Sequence, residues 1–204
     1  IDDAVFLILE TLHLSINDIN PWLDAHLTRA ERQLVIERID RRVEERIPTP
    51  YLVGKAYIQG VPFMVDPRVI VPRSFIGELL FSDAFSGEGE ASLIRDPEDI
   101  LSVADICTGS GCLAILAAMV FPNAAVDAVD LSEDALDVAA VNVDRLGDGR
   151  VGLYHGDLFA PLAGRRYDLI ITNPPYVDDE AMAELPDEYR HEPEMALAGG
   201  LDGL

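Results

Sequence analysis

The 204-residue sequence predicts an α/β fold, a parallel sheet with crossover helices, preceded by a small helical region and a β-hairpin. Three observations carry this reading. Beyond Leu101, apolar strand runs alternate with helical stretches; a Gly-Ser-Gly turn joins the first of those strands to its helix; and the pattern upstream is helical only, as far as Pro48.

Taken in order, Val5, Ile8, Leu9 and Leu12 fall at helical spacing and predict a first short helix. Thr28 and Glu31 form a capping-box pattern for a second helix, with Ile36, Ile39, Val43 and Ile47 as its apolar stripe and Pro48 as its stop. From Tyr51 to Val71 the pattern changes to β-type runs, Ala56-Tyr57-Ile58, Phe63-Met64-Val65 and Val69-Ile70-Val71, separated by glycines and prolines, which predicts a hairpin. A helix is expected over about Ser74 to Phe85, and Ser86 to Asp99 read as a surface loop. The regular part follows: strand Leu101–Ile106, helix Cys112–Phe121, strand Ala125–Asp130, helix Ser132–Leu146 closed by Gly147, strand Val151–Tyr154 and strand Tyr167–Thr172. Four strands are few for a doubly wound sheet, and Ile1 is not a start methionine, so the chain is expected to be a fragment whose sheet continues past Leu204.

Composition narrows the function. With 37 acidic against 15 basic side chains the formal charge is −22, and 49% of the residues are hydrophobic, too many for a disordered chain. The longest apolar run, Cys112 to Phe121, is ten residues, where a membrane span needs roughly 20. Asp2 and Asp3 stand where a secretory signal would carry positive charge, and two cysteines five positions apart make no disulfide framework, so a cytoplasmic setting is expected. Lys55 is the only lysine, which argues against direct nucleic-acid binding; an acidic surface would instead attract a basic partner, or simply keep the protein soluble.

The loop Asp105-Ile106-Cys107-Thr108-Gly109-Ser110-Gly111-Cys112 lies where a strand turns into a helix, a place where glycines let a ligand approach the backbone and free N–H groups point at it. The third glycine of the dinucleotide fingerprint is missing, Ala114 standing in its place. Asp130 ends the next strand 21 residues after Gly109, where an acid can bind both hydroxyls of a ribose, and together they favour a nucleoside cofactor. Leu131 follows it. Asp157 can accept from an adenine amino group, with Leu158 or Phe159 packing on the ring. No phosphate-binding Gly-x-x-x-x-Gly-Lys loop occurs. At the end of the last strand, Asn173-Pro174-Pro175-Tyr176 faces the ligand crevice, and the Asn amide oxygen beside a proline carbonyl offers two acceptors suited to an NH2 group.

These motifs together resemble the class I S-adenosylmethionine-dependent methyltransferases that act on planar amide or amino nitrogens. Three flanking stretches narrow the resemblance to the HemK-type protein glutamine methyltransferases: Tyr51-Leu52-Val53-Gly54 with Gly60-Val61-Pro62-Phe63, Val69-Ile70-Val71-Pro72-Arg73, and Glu188-Tyr189-Arg190-His191-Glu192-Pro193-Glu194 running into Gly199-Gly200-Leu201-Asp202-Gly203-Leu204. Pro72-Arg73-Ser74 departs from the Pro-Arg-Pro-Glu-Thr typical of the release-factor branch, and Tyr-Arg-His-Glu-Pro-Glu matches the branch that modifies large-subunit ribosomal protein three.

The resemblance implies a Rossmann-like methyltransferase sheet over residues 73–204, truncated at its C-terminal side, a hairpin linker over 51–72 and a helical substrate-recognition domain over 1–50. It implies S-adenosylmethionine as cofactor, with S-adenosylhomocysteine as product, held by Asp105, Cys107, Thr108, Gly109, Gly111, Asp130, Leu131, Asp157, Leu158, Phe159 and Asn173. The implied reaction is methyl transfer to a glutamine side-chain amide of a basic ribosomal protein. Asn173 and Pro174 would hold the amide hydrogens, Tyr176 would pack on the amide plane, and Pro175, Arg190 and His191 would help bind the substrate. The rival readings are a release-factor glutamine methyltransferase, an adenine-N(6) nucleic-acid methyltransferase and a noncatalytic ribosome-assembly factor. Four scattered histidines and Cys107 and Cys112 form no ligand-spaced cluster, so no metal is expected, and both cysteines are expected to pack behind the loop as small apolar residues.

Overall fold

The computed structural model describes residues 2–17 and 19–203; Ile1 and Leu204, the last position of the Gly-Gly-Leu-Asp-Gly-Leu run, lie outside the described residues. Helix α1, Asp3–Thr11, starts on the Asp2 carboxylate, which accepts the Ala4 N–H at 3.0 Å, and buries Leu7 and Leu9. Helix α2, Arg29–Glu44, opens on the expected capping box: Thr28 Oγ1 accepts the Glu31 N–H at 3.3 Å and Glu31 Oε2 accepts the Thr28 N–H at 2.7 Å. Its expected apolar stripe is not a core face. Ile36, Ile39 and Val43 are 45%, 39% and 65% exposed, Ile47 lies beyond the helix end, and Val35 is the buried position. The polar side supplies the other attachments: Arg38 Nη1 donates to Thr11 Oγ1 at 2.9 Å, and Arg42 reaches Asp3 at 3.1 Å and Glu188 at 3.2 Å.

After the short α3, Thr49–Val53, the hairpin forms from β1, Lys55–Ile58, and β2, Val61–Met64, paired antiparallel from Lys55↔Met64 to Ile58↔Val61. Gln59 and Gly60, at φ 51° and 75°, make a two-residue turn whose twist matches the strands. The third expected run, Val69 to Val71, is not a strand; it crosses the mouth of the site described below. The helix expected over Ser74 to Phe85 is broken, because Ser74 caps α4, Phe75–Leu80, and Ser82 then caps a separate 3-10 turn, Asp83–Phe85. Within α4, Gly77 is required by close approach: a Cβ there would stand 2.7 Å from Ile58 Cγ2.

The main sheet contains β3, Ser102–Ile106, β4, Ala125–Asp130, β5, Val151–His155, and β6, Leu169–Thr172, in the order β5-β4-β3-β6, with all three pairings parallel. Helices α5, Cys112–Val120, and α6, Glu133–Leu146, cross between β3, β4 and β5. The core joins Val103, Val126, Ala128 and Ile171 of the sheet to the almost fully buried α5 and to Ile58 and Phe63 of the hairpin. Each large side chain buried there, such as Phe121 at 0% exposure, contributes roughly 1.5–3 kcal/mol. Ala104, Ile106 and Val129 pack with Leu162 as a smaller cluster. The chain runs from β3 toward β5 on one side and returns to β6 on the other, so the carboxyl ends of β3 and β6 flank a topological switch point, where α/β sheets bind ligands. A further helix, α7, Asp179–Glu184, had no clear periodic signal; the Asp178 carboxylate caps it by accepting the Ala181 N–H at 2.7 Å. Among the described residues no helix is long and apolar enough to cross a membrane.

Candidate functional site

Two adjoining cavities, of about 240 and 500 Å³, open at the switch point and share Cys107, Gly109, Asn173 and Pro174 as walls. The loop after β3 is held in a shape few residues adopt. Cys107, Gly109 and Gly111 have φ of 61°, 56° and 77°, the first of them paid for by a non-glycine in the left-handed region. Two bonds fix it: the Thr108 N–H donates to the Val129 carbonyl at 3.0 Å, and the Gly111 N–H to the Thr108 carbonyl at 3.0 Å. Below the loop Asp105 is fully buried; its Oδ2 accepts the Thr108 hydroxyl at 2.5 Å, and its Oδ1 accepts no hydrogen bond among the described residues. Burial pushes the Asp105 carboxyl up to about 7, with the Thr108 hydroxyl opposing and the charge of Asp130 adding to the rise.

Asp130, at the end of β4, turns toward the smaller cavity. Its Oδ2 accepts the Gly109 N–H at 2.7 Å and its Oδ1 the Ser132 N–H at 2.9 Å. Each oxygen keeps capacity for a further donor, so the pair can receive two neighbouring hydroxyls. Leu131, Asp157 and Leu158 line the same cavity. The opposite wall is the Asn173-Pro174-Pro175-Tyr176 segment that leaves β6. Asn173 and Pro174 border both cavities, Pro175 only the smaller and Tyr176 only the larger. Behind Tyr176, Val177 donates to the Leu197 carbonyl at 2.9 Å and accepts from Gly199 at 2.8 Å. Gly199 and Gly203 pass so close that a Cβ on either would meet Tyr176 backbone at 2.9 and 2.6 Å. That packing explains the glycine spacing of the final run.

Residues 80–188 match the model of the methyltransferase small domain family. The chain belongs to that family. It is 57% identical over 211 residues to the ribosomal protein uL3 glutamine methyltransferase of Burkholderia pseudomallei, an alignment covering 100% of this chain and 67% of that protein. The protein of the same name from Bradyrhizobium diazoefficiens is 58% identical over 204 residues, covering 99% and 64%, and that from Neisseria gonorrhoeae is 50% identical over 204 residues, covering 100% and 66%. The chain thus spans about two thirds of the length of the curated relatives it matches.

Within this chain, most of the residues singled out in the sequence border the two cavities, and some do not. Asp105, Gly111, Phe159, Arg190 and His191 line neither. Asp105 sits buried beneath the loop, Gly111 ends the loop as the N-cap of α5 with its Cα side turned to Ala139, and the His191 ring instead meets the Glu45 carbonyl at 2.8 Å. The two cysteines differ: Cys112 is buried and borders only the larger cavity, its thiol pushed up to about 12 chiefly by that burial, whereas Cys107 is half-buried and borders both cavities, so neither packs wholly behind the loop. Residues the sequence reading left out of the site complete the larger cavity, among them Arg73, Ser74 and Tyr189. Arg73 and Tyr189 both lie outside the stretch matched by the family model, and their only sequence signal was membership of the flanking motifs. No group of three His, Cys, Asp or Glu side chains placed to hold a metal occurs among the described residues.

Proposed function

We propose that this chain transfers a methyl group from S-adenosylmethionine to the side-chain amide nitrogen of a glutamine in large-subunit ribosomal protein uL3. The observation that carries the reading is the position of Asn173 and Pro174 at the junction of the two cavities, between the acidic wall of Asp130 and Asp157 and the cavity bordered by Tyr176. Relatives bearing the name ribosomal protein uL3 glutamine methyltransferase, at 50–58% identity, support the choice of substrate. The residues fit the cofactor: Asp130 keeps an acceptor site on each oxygen for the ribose hydroxyls, Leu131 and Leu158 offer apolar walls beside Asp157 for an adenine ring, and the clustered carboxylates favour a ligand carrying positive charge.

When bound, S-adenosylmethionine supplies an electrophilic methyl group on a sulfonium. An amide nitrogen is a poor nucleophile, because its lone pair is delocalised into the carbonyl. The Asn173 side-chain oxygen and the Pro174 carbonyl accept the two amide hydrogens, orient the nitrogen and stabilise the positive charge that develops on it; once the nitrogen carries the methyl group, one of those protons leaves to water and gives the neutral methylamide. Proline at 174 has no N–H, and Pro175 removes the next, so neither competes for those carbonyls. Tyr176, 68% exposed on the cavity wall, covers the amide plane and excludes water. The helical residues before Tyr51 serve substrate recognition, the segment 51–72 links them to the transferase domain, and the charge of −22 attracts a basic ribosomal protein. A ribosomal target implies action in the cytoplasm.

The test incubates full-length protein and labelled S-adenosylmethionine with uL3, release factors and duplex DNA in parallel, followed by mass spectrometry. Methylglutamine in uL3, lost by a factor of about 10²–10³ in kcat with Asn173→Ala, is the expected result. Label on release factors alone would move the substrate, and label on DNA alone would overturn the reading.

A further inference from the structure

Across the larger cavity the segment 69–73 faces the segment 186–198, and one carboxylate fastens them. The Glu192 side chain is 2% exposed; its Oε2 accepts the Val71 N–H at 3.1 Å, and both its oxygens accept from Arg73 Nη2 at 2.6 Å. The Arg73 guanidinium also stacks over the Tyr189 ring at 4.6 Å. Its plane is therefore set twice, by the carboxylate at one edge and by the ring beneath. The bonds to Glu192 use Nη2 only, so the Nε–H and Nη1–H donors keep no partner among the described residues, on a side chain that is 44% exposed and borders the cavity.

We propose that Arg73 is a substrate-binding residue that donates from Nε and Nη1 to main-chain carbonyl oxygens beside the target glutamine, and that Glu192 is the positioning residue that holds it. The inference rests on the proposed function and deepens it. Asn173 and Pro174 read only a terminal amide, which free glutamine and asparagine also carry. A second anchor on the main chain fixes the distance from backbone to amide, so a side chain one methylene shorter falls short of the reacting position. Pairing with Glu192 also cancels the arginine's charge. A bare guanidinium would repel a basic protein at the cavity mouth, whereas the neutral pair leaves donors that favour uncharged carbonyl oxygens.

Steady-state methylation of uL3 by the full-length protein, with calorimetric binding of S-adenosylmethionine, tests this. Arg73→Gln is expected to raise KM for uL3 roughly tenfold to a hundredfold while kcat stays within about threefold and the cofactor Kd within about twofold of wild type. Arg73→Lys does not restore KM, because a single ammonium engaged by Glu192 has no second edge to offer. Glu192→Gln raises KM as well, and the double variant is no worse than Arg73→Gln, since the two act as one unit. A purely structural role would move cofactor affinity together with KM, and that pattern overturns the proposal. An Arg73→Gln enzyme whose KM matches an active wild type overturns it alone. A wild type that labels no glutamine in uL3 overturns the proposed function and this inference together.

Discussion

The carboxamide of Asn142 pairs with both backbone groups of Met64: Oδ1 accepts the Met64 N–H at 2.7 Å and Nδ2 donates to the Met64 carbonyl at 3.0 Å. The same Nδ2 donates to the Ser110 carbonyl at 2.9 Å, and the side chain is fully buried. One residue of α6 thus extends the hairpin's hydrogen bonding and ties it to the glycine loop. Asn142→Leu keeps the volume but strands three polar groups, and each such loss costs about 1–3 kcal/mol. We expect the full-length variant to be destabilised by at least about 3 kcal/mol, seen as a melting midpoint lower by roughly 5 °C or more. A midpoint within about 1 °C of wild type would mean that water replaces the amide.

Asp105 gives the pH dependence a definite sign. Burial raises its carboxyl to about 7 in the folded protein, whereas an unfolded aspartate titrates near 3.9. Between these values the folded state binds the extra proton, so this group's contribution is fully present below about pH 4 and is lost as pH rises to about 7. Carboxylates held low, such as Asp66 beside Arg68 and Asp168 under the Leu101 and Ser102 amides, act in the opposite sense. The difference between wild type and Asp105→Asn isolates the buried group. Denaturant unfolding at pH 4, 5.5 and 7 should show wild type losing stability relative to the variant at each step; a flat difference would contradict the assignment.

What could be read in the sequence was local. The capping box of Thr28 and Glu31 spans three residues, the Gln59-Gly60 turn sits inside its hairpin, and Gly109 and Asp130 are joined by the strand and helix pattern between them. The α2 stripe is apolar in sequence yet largely exposed, because periodicity says that a face is apolar and not that anything covers it. The break after Leu80 depends on Ser82 capping a new turn, where Ser, Ala and Phe look equally helical in pattern. The Arg73–Glu192 pair spans 119 positions, and no spacing rule connects such residues before the chain is folded.

For Asp130 the structure makes a distinction that charge alone would not. Its oxygens hold the Gly109 and Ser132 amides as well as facing the cavity, so they shape the loop that also borders it. Asp130→Ala removes both functions, and Asp130→Asn keeps one acceptor oxygen while placing an NH2 against a backbone donor. Calorimetric titration should give a cofactor Kd raised about a hundredfold or more for the alanine variant and nearly as much for the asparagine variant. An Asn variant that binds like wild type would show that a single acceptor suffices.

Gly203 tests the support behind Tyr176. It has φ +73°, where a side chain is strained, and a Cβ would stand 2.6 Å from the Tyr176 carbonyl oxygen. Backbone cannot yield as a flexible side chain does, so Gly203→Ala must displace either the final glycine run or the segment that carries Asn173 and Tyr176. The smaller cavity, lined by Asp130 and Asp157 and proposed above for the cofactor, lies on other elements and does not lean on Gly203. Methyl transfer should therefore fall at least roughly tenfold in kcat, as misplacement of reacting groups does, while cofactor affinity stays close to wild type. Stopped-time assays at saturating cofactor, paired with calorimetry, read the two separately. Equal loss of both would mean that the strain spreads through the sheet, and an unchanged kcat would mean that the glycine run moves aside without carrying Tyr176.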